Sequence, residues 1–365
     1  MVATEDLLPA VADNALFEQI QTMGHESVVF CSDPDTGLKA IIGIHSTVLG
    51  PALGGLRFWH YERDADAVTD VLRLARGMSL KNSAAGLGLG GGKAVIIGDP
   101  AKIKSPALLR RFGEFVEGQA GRYITAEDVG TTTADITYIR EKTKHATGIP
   151  EEMGGSGDPS PFTAMGVYLS MKASAKHVYG TDSLQGRTVA LQGAGHVGTY
   201  LAESLQKEGA KLIISDYFAD RAEKLAKHVG GTVVGTNEIY DVAADIYAPC
   251  ALGATLNTDT IARLRVAIVC GAANNQLADE ALHGQMIKDR GILYAPDFVI
   301  NAGGVINVYQ EILGYDRAKA TQKVETLYPT LLNLYAQAEA AGITTHQAAL
   351  QMAMDRIQKA KAAKA

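Results

Sequence analysis

The chain has 365 residues, 47% of them apolar and 20% charged, with a formal net charge of -6. That length accommodates two domains with separate cores, and an acidic balance without any basic run excludes nucleic acid or an anionic membrane as the main partner. Cys31, Cys250 and Cys270 are odd in number and far apart, so neither a disulfide framework nor a metal site is expected. With no basic-then-apolar leader and no membrane-length apolar run, the expectation is a cytoplasmic, soluble protein.

In chain order, Ser27–Cys31 and Leu38–Ile44 read as strands joined by the turn Asp33–Gly37. Leu49–Arg57, with three glycines and a proline, reads as a loop able to line a ligand. Val68, Leu72, Ala75 and Met78 form one apolar helical stripe, and Lys81 continues its buried side. Gly86, Gly88, Gly90, Gly91 and Gly92 lead to a buried strand, Ala94–Ile97, with Lys93 at its entrance. Alone, Lys81 suits a helix-end cation and Lys93 a strand-edge charge. Two lysines flanking a stretch of glycine with little other polarity point instead to a site. A lysine desolvated there should have a depressed pKa and can act as a base near neutral pH.

A second helix is expected over 105–118, with Leu108, Leu109, Phe112 and Phe115 on one face. The strand Arg122–Ala126 ends in Glu127 and Asp128, an address typical of catalytic groups. Alternation along an extended chain sends the two acids to opposite sides, and the pattern alone leaves open which faces the lysines. Four glycines and three prolines within 148–161 mark a linker and hinge, with a helix resuming near Thr163.

The next segment carries a dinucleotide fingerprint. Arg187–Gln192 is a strand, Gly193-Ala194-Gly195-His196-Val197-Gly198 the turn, and Thr199–Lys207 a helix; Lys211–Ser215 is a second strand ending at Asp216. Such glycines let backbone reach a pyrophosphate at the helix N-terminus. Asp216 would accept from ribose hydroxyls and repel a 2′-phosphate, and Tyr217 and Phe218 add no cation, so NAD is expected rather than NADP. Strands at 244–248, 266–270 and 291–295 end in small or polar residues, where parallel sheets bind ligands. Ala248, Cys250, Asn274 and Asn275 fall at those ends, and 316–363 reads as helical.

The strings Gly50–Gly55, Gly77–Lys93, Tyr123–Thr131, Asp245–Gly253 and Asn301–Asn307 resemble the glutamate/leucine/phenylalanine/valine dehydrogenases from about Val28 to Ile357, and the leucine dehydrogenases most. The resemblance implies a two-domain α/β fold. An N-terminal α/β substrate domain (1–147) would be separated by a cleft from a Rossmann-type, doubly wound NAD domain (148–344), with helices of 345–365 packing back on the first. It implies that Lys81 binds the substrate carboxylate, Lys93 is the catalytic lysine and Asp128, rather than Glu127, transfers protons. Gly54, Gly55 and Asn275 would join the substrate site, and Leu53, Ala126, Val305 and Val308 would meet the side chain. Thr163, Ala248, Cys250 and Asn274 would join Gly193–Gly198 and Asp216 on the cofactor.

The activity implied is NAD-dependent, reversible oxidative deamination of leucine, isoleucine or valine to a 2-oxo acid and ammonium, by a homo-oligomer. Phenylalanine or another apolar amino acid is the alternative substrate. A hydroxy-acid dehydrogenase would need a histidine in the glycine-lysine stretch, and a non-catalytic NAD-binding regulator would not need Lys93 and Asp128.

Overall fold

The computed structural model describes residues 16–364, which divide into two compact units. The first comprises residues up to Asp158 together with Val308–Tyr315 and Ala353 onward; the second comprises Pro159–Asn307 and Asp316–Met352.

The first unit starts with α1 (Leu16–Met23), β1 (Ser27–Asp33), β2 (Leu38–Ser46) and β3 (Ala52–Trp59). α2 (Asp64–Ala84), β4 (Gly90–Ile97), α3 (Pro100–Ile103), α4 (Pro106–Glu117), β5 (Tyr123–Glu127) and α5 (Thr133–Arg140) follow. The sheet order is β1-β2-β4-β3-β5, antiparallel on the β1 side and parallel where β3 meets β4 and β5. Alternating side chains divide the core between its faces. Ile42, Ile44, Leu56 and Phe58 pack with Leu108, Phe112 and Ile136 of α4 and α5, while Ile41 and Val95 pack with Val68, Val71 and Leu72 of α2.

Two expectations need correction. The stretch expected to be a loop around Leu49–Arg57 is largely a strand, because β3 runs from Ala52 through the middle of the sheet. Glycine weakens a strand in general; here Gly54 and Gly55 are kept extended by pairing with Thr125 and Ala126 of β5, while their neighbours Leu53 and Leu56 pair with β4. Lys93 is likewise not at a strand entrance: β4 already begins at Gly90, with Gly91 paired to Leu53.

The second unit holds α6 (Ser160–Tyr179), β6 (Thr188–Gln192), α7 (His196–Lys207), β7 (Lys211–Ser215), α8 (Ala219–Val229), β8 (Thr232–Val233) and β9 (Ile246–Pro249). It continues through α9 (Thr258–Arg263), β10 (Ile268–Val269), α10 (Glu280–Asp289), β11 (Leu293–Tyr294) and α11 (Asp297–Ile300). α12 (Gly303–Ile312) starts in this unit and ends in the first. α13 (Arg317–Glu325) and α14 (Leu327–Ala341) belong to the second, and α15 (Thr345–Ala362) starts there and ends in the first. All strand pairings are parallel, in the order β11-β10-β9-β6-β7-β8. The order reverses direction after β6, where β9 and β7 lie on opposite sides, which is the switch point of a doubly wound sheet.

Candidate active site

Around β3 and β4 the space beside the glycines is filled by neighbouring groups. A methyl on Gly54 would come within 1.7 Å of the Gly92 carbonyl oxygen, and one on Gly55 within 2.5 Å of the Glu127 oxygen and 2.9 Å of Asp128 Cβ. On β4, a methyl on Gly91 would meet the Ser79 nitrogen at 2.1 Å, and one on Gly92 the Tyr123 ring at 2.8 Å. Only glycine lets α2 and these three strands approach so closely.

This close packing seats a buried ion pair. Lys93, only 6% exposed, places Nζ 2.5 Å from Asp128 Oδ2. Arg57 Nε stands 3.5 Å from the same oxygen, and Arg57 Nη1 donates to Asp70 Oδ2 at 2.8 Å. Tyr61 Oη also donates to Asp70, at 2.6 Å. The Asp128 N–H donates to Thr131 Oγ1, whose hydroxyl lies 3.0 Å from the Leu56 carbonyl, so a tight turn fixes the acid. Burial pushes the Asp128 carboxyl up, but the adjacent Lys93 ammonium, with Arg57 and the Val129 N–H, outweighs this and holds it below the usual aspartate value. Glu127 turns elsewhere, its Oε2 accepting from Thr133 Oγ1 at 2.9 Å.

Lys81 is half-buried in the last turn of α2. Next to it, Asn82 Nδ2 donates to the Gly90 carbonyl at 2.6 Å, tying the helix end to the start of the strand that carries Lys93. Leu53, Ala126 and Val308 are buried in the same unit. Arg57 and Tyr61 escaped the sequence reading; the available signal was an arginine closing a glycine stretch just ahead of a helix with an acid on its flank.

The glycine turn of the second unit combines close packing with one open position. Gly193 has φ +112 and donates its N–H to the Ser215 carbonyl at 2.7 Å. Gly195, the N-cap of α7, has nothing within 4 Å of where a methyl would stand, and no side chain caps that helix. The first N–H groups of α7, at His196, Val197 and Gly198, thus lie at a helix start that no N-cap side chain closes, the kind of helix end at which anions bind. Asp216 closes β7 and is anchored by the Ala194 N–H at 2.7 Å and the Phe218 N–H at 2.8 Å. In the first turn of α8, the Arg221 guanidinium sits 4.5 Å over the Phe218 ring.

At the ends of β6 and β9, a methyl on Gly193 would meet Cys250 backbone at 2.7 Å, and Cys250 Sγ accepts from the Ala272 N–H at 3.3 Å. Ala248 is buried in β9 just before. Burial pushes the Cys250 thiol up to about 12, which keeps it a thiol. Asn275 adopts φ +50, and Asn274 Oδ1 accepts from Asn301 Nδ2 at 2.8 Å. Thr163 Oγ1 donates to the Pro159 carbonyl, and a methyl on Gly304 would approach that hydroxyl to 2.7 Å, next to half-buried Val305.

Two family profiles match the chain: "Glu/Leu/Phe/Val dehydrogenase, dimerisation domain" over 25–145, and "Glutamate/Leucine/Phenylalanine/Valine dehydrogenase" over 154–219 and 214–365. Leucine dehydrogenase of Thermoactinomyces intermedius is 52% identical over 343 residues, covering 94% of this chain and 93% of the relative. Phenylalanine dehydrogenase of Caldalkalibacillus thermarum is 47% identical, covering 94% and 93%. The crystal structure of L-tryptophan dehydrogenase from Nostoc punctiforme superposes with a TM-score of 0.83 at 45% identity, covering 95% of this chain and 99% of that one.

Proposed function

Since the chain belongs to the glutamate/leucine/phenylalanine/valine dehydrogenase family and is an amino-acid dehydrogenase, we propose that it carries out the reversible oxidative deamination of a branched-chain L-amino acid, leucine foremost, with NAD. The observation that carries this reading is the buried Lys93–Asp128 pair, 2.5 Å apart, in the unit that also holds Lys81. A charged acid beside a desolvated ammonium can pass protons without bulk water.

Lys81 binds the substrate carboxylate as a charge-assisted contact. Asp128 takes a proton from the substrate ammonium, so that the neutral amine can release hydride from the α-carbon. Lys93 then stabilises the oxygen developing where water adds to the iminium, and Asp128 returns its proton to the departing ammonia; of the two protons that water loses, one completes the ammonium and the other is released. The balance is amino acid, NAD and water giving 2-oxo acid, ammonium, NADH and a proton.

The turn Gly193–Gly198 and Asp216 would hold the dinucleotide, supported by the open space at Gly195 and the uncapped α7. Bound there, it supplies the two-electron acceptor for the hydride. Asp216 favours NAD over NADP by repelling a 2′-phosphate, and Thr163, Asn274 and Asn275 are assigned to nicotinamide and substrate contacts. Leu53, Ala126 and Val308 offer the side chain apolar surface, on which a glutamate carboxylate would lack a partner at a cost of several kcal/mol, roughly. The profile over 25–145, described as a dimerisation domain, supports a homo-oligomer. Three free cysteines support a reducing, cytoplasmic setting.

The test is NADH absorbance on purified protein with a panel of amino acids and hydroxy acids. Leucine, isoleucine and valine should give the highest kcat/KM. A higher value for phenylalanine or tryptophan removes the branched-chain assignment, and turnover of hydroxy acids alone removes the mechanism.

A further inference from the structure

The end of α2 is held from the far end of the chain. Arg356, in α15, donates from Nη1 to the Ser83 carbonyl at 2.8 Å and from Nη2 to the Leu87 carbonyl at 3.2 Å. One turn earlier on α15, the Ala353 carbonyl accepts from Ser83 Oγ at 2.7 Å. These residues all belong to the first unit.

The last carbonyls of a helix need partners. Lys81 and Asn82 carbonyls find theirs in the N–H groups of Ala85 and Leu87, and the Ser83 carbonyl accepts from Gly86. The guanidinium adds a second donor at Ser83 and reaches across the turn to Leu87. Its rigid fork therefore fixes the distance across 83–87, and its charge complements the negative end of α2. Lys81 stands two residues before that fork, and the chain beyond it enters β4, the strand of Lys93. Tyr309 adds weight at the same turn, since a methyl on Gly88 would meet its hydroxyl at 2.8 Å.

We propose that Arg356 is a positioning residue for the reaction, holding the final turn of α2 so that Lys81 is aimed at the substrate carboxylate. This rests on the reading of Lys81 given above. Arg356 touches neither substrate nor cofactor, and its removal should act on one kinetic constant.

The experiment is a double-mutant cycle in the full-length enzyme. Arg356→Ala should raise the KM for leucine about tenfold, the loss of one or two charge-assisted hydrogen bonds, while the KM for NAD stays within about twofold. Added ethylguanidinium should recover most of the change. Arg356→Lys, which keeps charge and stem but has no fork, should fall between, and it provides the measurement if the alanine variant does not fold. Because Arg356 acts through Lys81, Arg356→Ala should add almost nothing to Lys81→Ala. A multiplicative effect in the double variant, parallel rises in both KM values, or no guanidinium rescue would overturn the proposal. A raised KM in Lys81→Ala beside a normal one in Arg356→Ala and Arg356→Lys sinks this inference alone. A normal KM in Lys81→Ala sinks the role of Lys81 and this inference together.

Discussion

Gly195 and the glycines of β3 and β4 stand at opposite extremes of how a missing side chain is used. Around Gly195 the missing side chain leaves open space next to an uncapped helix N-terminus. Around Gly54, Gly55, Gly91 and Gly92 it is taken up by the protein's own carbonyls, nitrogens and the Tyr123 ring. Gly195 leaves room beside the start of α7; the glycines of β3 and β4 let strands and a helix close up around Lys93 and Asp128. A glycine-rich stretch therefore says that something approaches closely, and the neighbouring elements decide whether that is a ligand or the chain itself.

The comparison is broken most forcefully at the ion pair. Lys93→Ala or Asp128→Asn should lower kcat by about two to four orders of magnitude, while the second unit still binds NADH, measured by calorimetry. Near-normal turnover in either variant would remove that residue from the mechanism.

The glycines themselves come next. Gly54→Ala puts a methyl on the Gly92 carbonyl and should cost roughly 3 kcal/mol or more of stability, read from the urea midpoint. Gly195→Ala meets nothing, so its midpoint should match the wild type while the KM for NAD rises several-fold. If both variants lose stability alike, the distinction between the two kinds of glycine fails.

That distinction also explains what could be read from sequence. The dinucleotide turn was legible because strand, glycines, helix and Asp216 follow at fixed local spacings. β3 was not, because Ala52–Trp59 has the composition of a loop, and only its pairing with β4 and β5 makes it a strand. Residue chemistry drew attention to Lys93 and to the acids at 127 and 128. The partner of Lys93 was fixed by a turn through Thr131 and by the bare face of Gly55, both of them tertiary facts. Arg356 lies some 270 positions from the carbonyls it caps, beyond any local pattern.

Acid should separate the units as well. His45 bonds Ser79 Oγ at 2.7 Å and stacks edge-on against His25, with Arg76 and Glu26 also acting on it. Burial, then His25 and Arg76, push His45 down to about 4. A histidine depressed when folded takes up protons on unfolding, so its penalty is absent above its ordinary value near 6.5 and grows as pH falls toward 4. By pH 5 the loss should be about 2 kcal/mol from His45 alone. Hydrogen exchange at pH 7 and pH 5, corrected for intrinsic rates, should show β2 and α2 loosening before β6 and β7. Equal loosening in both units would remove His45 as the cause.

The smallest expected effect tests whether the close packing around Gly55 also sets substrate size. Ala126 pairs with Gly55 across β3 and β5 and is only 8% exposed. Ala126→Gly would extend the bare strip to a third strand. The backbone penalty is about 0.5–1 kcal/mol, which a soluble variant should tolerate. If the Ala126 methyl bounds the side-chain site, its removal favours a larger ring over leucine. One methyl in an apolar pocket is worth about 1–3 kcal/mol, so the ratio of kcat/KM for phenylalanine to that for leucine should rise about tenfold, with NAD kinetics unchanged. A ratio that stays constant or falls would place the substrate side chain elsewhere, while leaving Lys93 and Asp128 untouched.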